Sequence, residues 1–328
     1  MTTGKQAQSP LSNGGTFGTT LSRETKEILA QIAASPRYDQ DLTPVERREI
    51  HDRTFLPLGL RADGSIASCE LFLPLNDELV RARLYRSPKE AGLVPVLLHF
   101  HGGGMTVGSL EQYDSLCQRI CKTSKVSVLT IDYALAPERP FPAAINQAWS
   151  ALNWLGENAI ALGLDPKRIA VGGDSAGGNI AAVLSLMARD EGGPGIAAQL
   201  LMYPAVGTRG ETSSMREFST GYLFEKEHLE TVYDQYLPDP GDISDWRVSP
   251  ILANDHSNLP PTFVLSAECE IMRDDIEEYA RILKESGTDV EAKRYVGMVH
   301  PFLSLAGVVP EAALAIDDCA LWLTKHLS

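Results

Sequence analysis

Two glycine-rich stretches carry the residues best suited to chemistry. Residues 171–180 read VGGDSAGGNI, and inside them Gly173-Asp174-Ser175-Ala176-Gly177 fits G-x-S-x-G. An apolar, β-branched run precedes Ser175 and an alanine-rich run follows it. A serine placed where a strand reverses directly into a helix is strained, and its Oγ projects from the sheet as a nucleophile. Gly173 and Gly177, two residues to either side, keep side chains out of that turn. The N-terminus of the following helix puts partial positive charge where negative charge would develop. A phosphate loop is excluded: Gly172 and Gly177 have the right separation, but Gly178 stands where lysine is required. An ordinary tight turn is the bland alternative for the pentapeptide taken alone.

The second stretch is His101-Gly102-Gly103-Gly104, after the apolar run VPVLLHF (94–100). Consecutive glycines cost backbone entropy, and they make sense where peptide N–H groups must meet a ligand at close range. Such a loop binds the oxyanion formed during acyl transfer, with the N–H of Ala176 as a further donor. His99 and His101 are read as lying on opposite faces of the strand, a poor chelate, so no metal is expected.

A serine nucleophile needs a base and an acid, which in this topology follow it in the order serine, acid, histidine. Downstream of Ser175 stand His228, His256, His300 and His326. His228 falls in an irregular insertion, His256 in a polar turn and His326 on the terminal helix. Only His300 follows the last strand. The acid should follow the strand before that, in FVLSAECEIMRDD, where Glu268, Glu270, Asp274 and Asp275 are candidates. Asp274 and Asp275 read as the first turn of a helix, Glu268 as a strand end, and Glu270 as loop.

These groups need an alternating scaffold. Strands are expected at 66–75 and 78–87, joined by an Asn76-Asp77 hairpin turn, and then at 94–100, 126–133, 168–173, 197–206, 259–268 and 290–296. Helices are expected at 22–33 (Ser22 cap), 43–52 (Thr43 cap, Pro44 in the first turn), 109–124, 141–159, 179–190, 274–287 and 309–327. The alternation implies an α/β architecture with parallel pairing and helices on both faces of the sheet. Residues 207–250 break the rhythm as a helical, aromatic insertion expected to cover a site. Residues 1–20 are polar and expected to fray.

The chain of 328 residues carries a net charge of −14, which lacks the basic footprint of a nucleic-acid binder. The five cysteines are scattered, so no disulfide framework is expected; Cys117 and Cys121 are read as half-buried thiols on one helical face. With no apolar leader in the first twenty residues and no run long enough to span a bilayer, the expected location is the cytoplasm.

Five motifs together resemble the hormone-sensitive-lipase-like esterases of the α/β-hydrolase fold: HGGG (101–104), DYALAPERPFPAA (132–144), GDSAGGN (173–179), WRVSPILA (246–253) and GMVHPF (297–302). The resemblance covers roughly residues 70–328. It implies a mostly parallel eight-stranded sheet with a helical cap. The cap would be residues 1–52 and 207–250, over a core of 66–206 and 251–328 within a single domain. It implies Ser175 as nucleophile, His300 as base and Gly103, Gly104 and Ala176 as oxyanion donors, with His101, Gly102, Gly173, Asp174 and Gly177 supporting them. The chain departs from the family at its acid motif, usually D-P-x-R-D, where it has Glu270-Ile271-Met272-Arg273-Asp274. Register puts Glu270 at the acid position, with Asp274 second. The implied activity is hydrolysis of short- to medium-chain carboxylic esters, without cofactor, on a small-molecule substrate. An amidase, lactonase or deacetylase would use the same groups, and a non-catalytic receptor would share the fold. Relatives often form homodimers.

Overall fold

A computed structural model describes residues 21–33, 42–62, 64–87, 92–208 and 210–328. The expected fraying of residues 1–20, and the share of a cap assigned there, fall outside these. The first elements among the described residues are two capped helices, α1 (Arg23–Ala33) and α2 (Pro44–Phe55). Ser22 Oγ accepts from the Thr25 N–H (3.1 Å). Thr43 and Glu46 form a reciprocal capping box that satisfies two orphan donors of α2.

The sheet elements then follow as β1 (Ser68–Leu75), β2 (Glu78–Tyr85), β3 (Val94–Phe100), α3 (Asp114–Ser124), β4 (Ser127–Ile131) and α4 (Ala143–Asn158). After them come β5 (Leu164–Asp174), α5 (Ala176–Glu191), β6 (Ile196–Met202), α6 (Ser213–Glu217) and α7 (Lys226–Tyr236). The chain closes with β7 (Thr262–Cys269), α8 (Arg273–Glu285), β8 (Val290–Val299) and α9 (Pro310–Leu327). Asn76 and Asp77 both take positive φ (48° and 64°), as a two-residue hairpin turn requires.

The strands form one eight-stranded sheet in the order β1-β2-β4-β3-β5-β6-β7-β8. β2 runs antiparallel to both β1 and β4, and the other adjacent pairs are parallel. The order reverses between β3 and β5, the switch point at whose carboxyl ends such sheets build their sites. Register sets Phe100 of β3 beside Gly173 of β5, Asp174 beside Met202 of β6, and Cys269 of β7 beside Val299 of β8. The loops holding residues 101–104, 175, 270 and 300 therefore emerge along one edge.

Three boundaries differ from expectation for visible reasons. Residues 109–113 form a turn before α3, with the Ser109 hydroxyl accepting from the Gln112 N–H (3.2 Å). Helix α5 begins at Ala176, three residues early, because Ser175 alone accomplishes the reversal. Strand β6 ends at Met202, where Tyr203 (φ 36°) turns the chain out of the sheet and Pro204 offers no N–H. Cys117 and Cys121 are fully buried in α3, not half-buried.

Helices outside the sheet layers reach its active edge. Arg48 of α2 donates to the carbonyls of Thr106 (2.9 Å) and Ala136 (3.0 Å). Val232 of α7 sits so close to Gly104 that a Cβ there would come within 2.7 Å of it.

The tightest backbone approach is at the elbow. A Cβ on Gly177 would lie 2.0 Å from the Phe100 carbonyl oxygen, and one on Gly173 would lie 2.3 Å from the same atom. Gly173→Ala and Gly177→Ala should each destabilise the fold by about 1–3 kcal/mol or more, because strand backbone cannot yield as a side chain can. Thermal unfolding followed by circular dichroism checks this; unchanged midpoints would contradict it.

Candidate active site

Ser175 stands at φ 54°, ψ −116°, a conformation a non-glycine residue adopts only under constraint. The constraint comes from both sides. Its N–H donates to the Met202 carbonyl (2.9 Å), continuing the sheet, while its carbonyl accepts from the N–H groups of Asn179 and Ala205 (3.0 Å each). The Asn179 side chain holds the next layer, donating to the carbonyls of Ala205 (2.7 Å) and Val248 (2.8 Å).

His300 lies just beyond β8. Its Nε2 is 2.9 Å from Ser175 Oγ and its Nδ1 is 2.8 Å from Glu270 Oε2. Glu270 is anchored in turn, its Oε1 accepting from the Ala267 N–H (2.7 Å). All three residues are buried. With Glu270 accepting from Nδ1, the Nε2 lone pair faces the serine hydroxyl. The Tyr203 ring meets the imidazole edge-on at 4.9 Å, and Phe224, from the insertion, lies 5.0 Å away.

The remaining acid and base candidates are occupied elsewhere. Glu268 accepts from the Gly297 N–H (2.9 Å). Asp274 accepts from the Ser214 N–H of α6 (2.8 Å) and pairs with Arg273 (3.0 Å). Asp274 and Asp275 lie in the first turn of α8, as expected. His256 donates to the Pro250 carbonyl, His326 to that of Trp322, and His228 accepts from the Glu225 N–H. Of the four downstream histidines, His300 alone hydrogen-bonds Ser175.

The glycine loop is oriented through its carbonyls. His101 Nδ1 donates to the Gly102 carbonyl (2.7 Å), and the Gly103 carbonyl accepts from the N–H groups of Thr106 and Val107 (3.0 Å each). In a planar trans peptide the N–H points opposite to the C=O. The N–H groups of Gly103 and Gly104 are thereby directed away from those partners. Gly103 has φ 116°, and a Cβ there would strike the Val107 carbonyl oxygen at 2.2 Å, so glycine is required. The Ala176 N–H, in the first turn of α5, has no intrahelical partner by construction.

Asp174 joins this loop to the elbow. Its Oδ1 accepts from the Gly102 N–H (2.8 Å) and its Oδ2 from the Tyr113 hydroxyl (3.0 Å), with 1% of the residue exposed. Burial pushes its carboxyl up to about 6, against the Tyr113 hydroxyl, the charge of His300 and the Gly102 N–H, which favour the carboxylate. Tyr133 donates to the His101 carbonyl (2.8 Å) and stacks on its ring at 4.3 Å. Burial holds His101 down at about 4 and, with His101 beside it, His99 at about 3, so both are neutral at pH 7.

One expectation is corrected. His99 and His101 do not lie on opposite faces: alternate strand residues share a face, and both rings pack against Tyr113, at 5.9 and 5.6 Å. His99 Nδ1 is engaged by the Thr130 hydroxyl (3.2 Å). Among the described residues, no cluster of three His, Cys, Asp or Glu could hold a metal ion, and no helix is long and apolar enough to cross a membrane. Tyr113, Tyr203 and Phe224 carry no motif signal, and Tyr133 lies within residues 132–144, whose pattern does not show its contact with His101.

Comparison with known proteins places the chain in a family. The alpha/beta hydrolase fold family matches residues 97–304. The carboxylic ester hydrolase LipN of Mycobacterium tuberculosis is 40% identical over 265 residues, 79% of this chain and 70% of that protein. The chain belongs to this family. It is an ester hydrolase of the hormone-sensitive-lipase-like kind. The ethyl acetate hydrolase of Pseudomonas putida is similar too, 36% identical over 86% of this chain and 89% of its own. The solved esterase of Pyrobaculum calidifontis superposes with a TM-score of 0.86 at 36% identity, covering 93% of this chain and 98% of that one.

Asp174 gives a test of the inter-loop tie. Asp174→Ala leaves a buried N–H and a buried hydroxyl unpaired, at about 1–3 kcal/mol each, whereas Asp174→Asn keeps an acceptor. The raised carboxyl also has a pH signature. Between about pH 4 and pH 6 the folded state holds a proton that the unfolded state has released, so its stability falls as pH rises through that window. Asp174→Asn should remove that slope in urea unfolding measured from pH 4 to pH 7; an unaltered slope would contradict the assignment.

Proposed function

We propose that this ester hydrolase is a serine carboxylesterase acting on short- to medium-chain esters through Ser175, His300 and Glu270. The observation that carries the proposal is the unbroken buried chain from Ser175 Oγ through both nitrogens of His300 to Glu270, at 2.9 and 2.8 Å. Ser175 Oγ attacks the ester carbonyl while His300 Nε2 takes its proton. The carbonyl oxygen becomes an oxyanion, received by the N–H groups of Gly103, Gly104 and Ala176 at the N-terminus of α5. Glu270 holds the imidazole and stabilises the imidazolium without taking the proton. The C–O bond to the alcohol then breaks, and the alcohol oxygen leaves with the proton from Nε2. Water repeats the sequence on the acyl-enzyme, releasing the carboxylic acid and restoring the Ser175 hydroxyl.

Glutamate in place of the family's aspartate adds one methylene. The bond from the Ala267 N–H to Glu270 Oε1 anchors the longer side chain. The cap role proposed for residues 1–52 and 207–250 is supported by Arg48 and Val232, which meet the glycine loop from the two segments. The short-chain preference draws on the name of the Pseudomonas putida relative, an ethyl acetate hydrolase.

Ser175→Ala should lower kcat/KM for p-nitrophenyl acetate by at least about 1,000-fold with the fold retained. Turnover near the wild-type rate would contradict the nucleophile. Glu270→Ala should lower kcat by about 100-fold or more. Asp274→Ala should lower the unfolding midpoint and leave kcat within a few-fold. If the two variants exchange these behaviours, the acid is Asp274.

A further inference from the structure

We infer that Phe224 builds an apolar alcohol subsite beside His300 and gives the enzyme a preference for esters of planar aromatic alcohols. The inference rests on the proposed roles of Ser175 and His300. Three observations lead to it. First, Phe224 comes from the 207–250 insertion, yet its ring centroid is 5.0 Å from that of His300. Second, the backbone is strained to put it there. Leu223 has φ 72°, and the Phe224 N–H donates to the Tyr222 carbonyl two residues back (2.9 Å). That is a γ-turn of the rare positive-φ kind, costly for a branched side chain and kept only where the surroundings impose it. Third, the aromatic neighbours of His300 differ in access. Tyr203 is fully buried and belongs to the floor of the site. Phe224 is half-buried and stacks at 6.3 Å on the exposed His228, so it lies between the imidazole and solvent.

The chemistry says which part of a substrate meets that ring. The leaving oxygen takes its proton from His300 Nε2, so it must come within hydrogen-bond reach of that atom. The group attached to it then begins next to the imidazole, where Phe224 stands. The acyl chain hangs from the carbonyl carbon and departs from the serine side. Phe224 thus contacts the alcohol half of the ester and not the acyl half. A flat ring rewards a flat partner: stacked aromatic pairs gain beyond their buried area.

The test compares kcat/KM, which reports only the steps through alcohol release, for two substrate series. In one, acetate is held and the alcohol runs through ethanol, butanol, phenol and benzyl alcohol. In the other, ethanol is held and the acid runs through acetate, butyrate and hexanoate. Phe224→Ala should lower the ratio of benzyl to ethyl acetate by about three- to tenfold while leaving the acyl-series ratios within twofold. Phe224→Leu, which keeps apolar bulk and guards against misfolding of the smaller variant, should still lose most of the benzyl-over-ethyl preference. An unchanged alcohol ratio in both variants, or a shift confined to the acyl series, overturns the inference. Loss of the reading beneath it would show separately, as ester turnover persisting in Ser175→Ala.

Discussion

The carbonyl oxygen of Phe100 occupies space that a methyl group on Gly177 or Gly173 would need, at 2.0 and 2.3 Å. This close approach of β3 to the β5–α5 turn is the constraint on which the site depends. It brings the loop after β3 next to the loop after β5, so that Asp174 reaches the Gly102 N–H. A larger residue at either glycine would force the two strand ends apart, and the tie between the loops would lengthen with them.

The site holds several costly features in a small volume: a strained serine, a carboxylate at Asp174 with 1% exposure, and a buried imidazole–carboxylate pair. Each is countered locally. Sheet and helix bonds fix the Ser175 backbone, Tyr113 and Gly102 satisfy Asp174, and Ala267 satisfies the second oxygen of Glu270. The result is preorganisation. In the proposed mechanism the donors are set before any substrate arrives, so little reorganisation is needed as charge develops. The insertion adds side chains rather than backbone to this frame, with Val232 at the glycine loop and Phe224 at the imidazole.

Much of this was legible in the sequence because the signals were local. The strained strand-to-helix elbow is decided by five consecutive residues, the glycine loop by four, and each strand by its own apolar run. His300 could be found by elimination along the chain. Glu270 rested on its loop position and on register, and its 2.8 Å contact with His300 favours it over Asp274, whose carboxylate turns to α6. What local pattern could not supply were contacts made by folding: Tyr113 beneath Asp174, Tyr203 and Phe224 around His300. Helix starts also slipped: α3 begins late, at residue 114, because a turn uses residues that helical periodicity accepts equally well, and α5 begins early, at residue 176, because Gly177 and Gly178 read as loop. The opposite-face expectation for His99 and His101 ran against the strand period, which puts residues two apart on one face.

The central claim is that one serine, activated by His300, carries the acyl group. Titration with a p-nitrophenyl alkylphosphonate tests it most directly, because the phosphonyl group stays on the nucleophile as a stable adduct. The account predicts a burst of one equivalent of p-nitrophenol, complete loss of ester turnover, and a single labelled peptide carrying the adduct on Ser175. Label on another residue, or turnover that survives stoichiometric modification of Ser175, would contradict it.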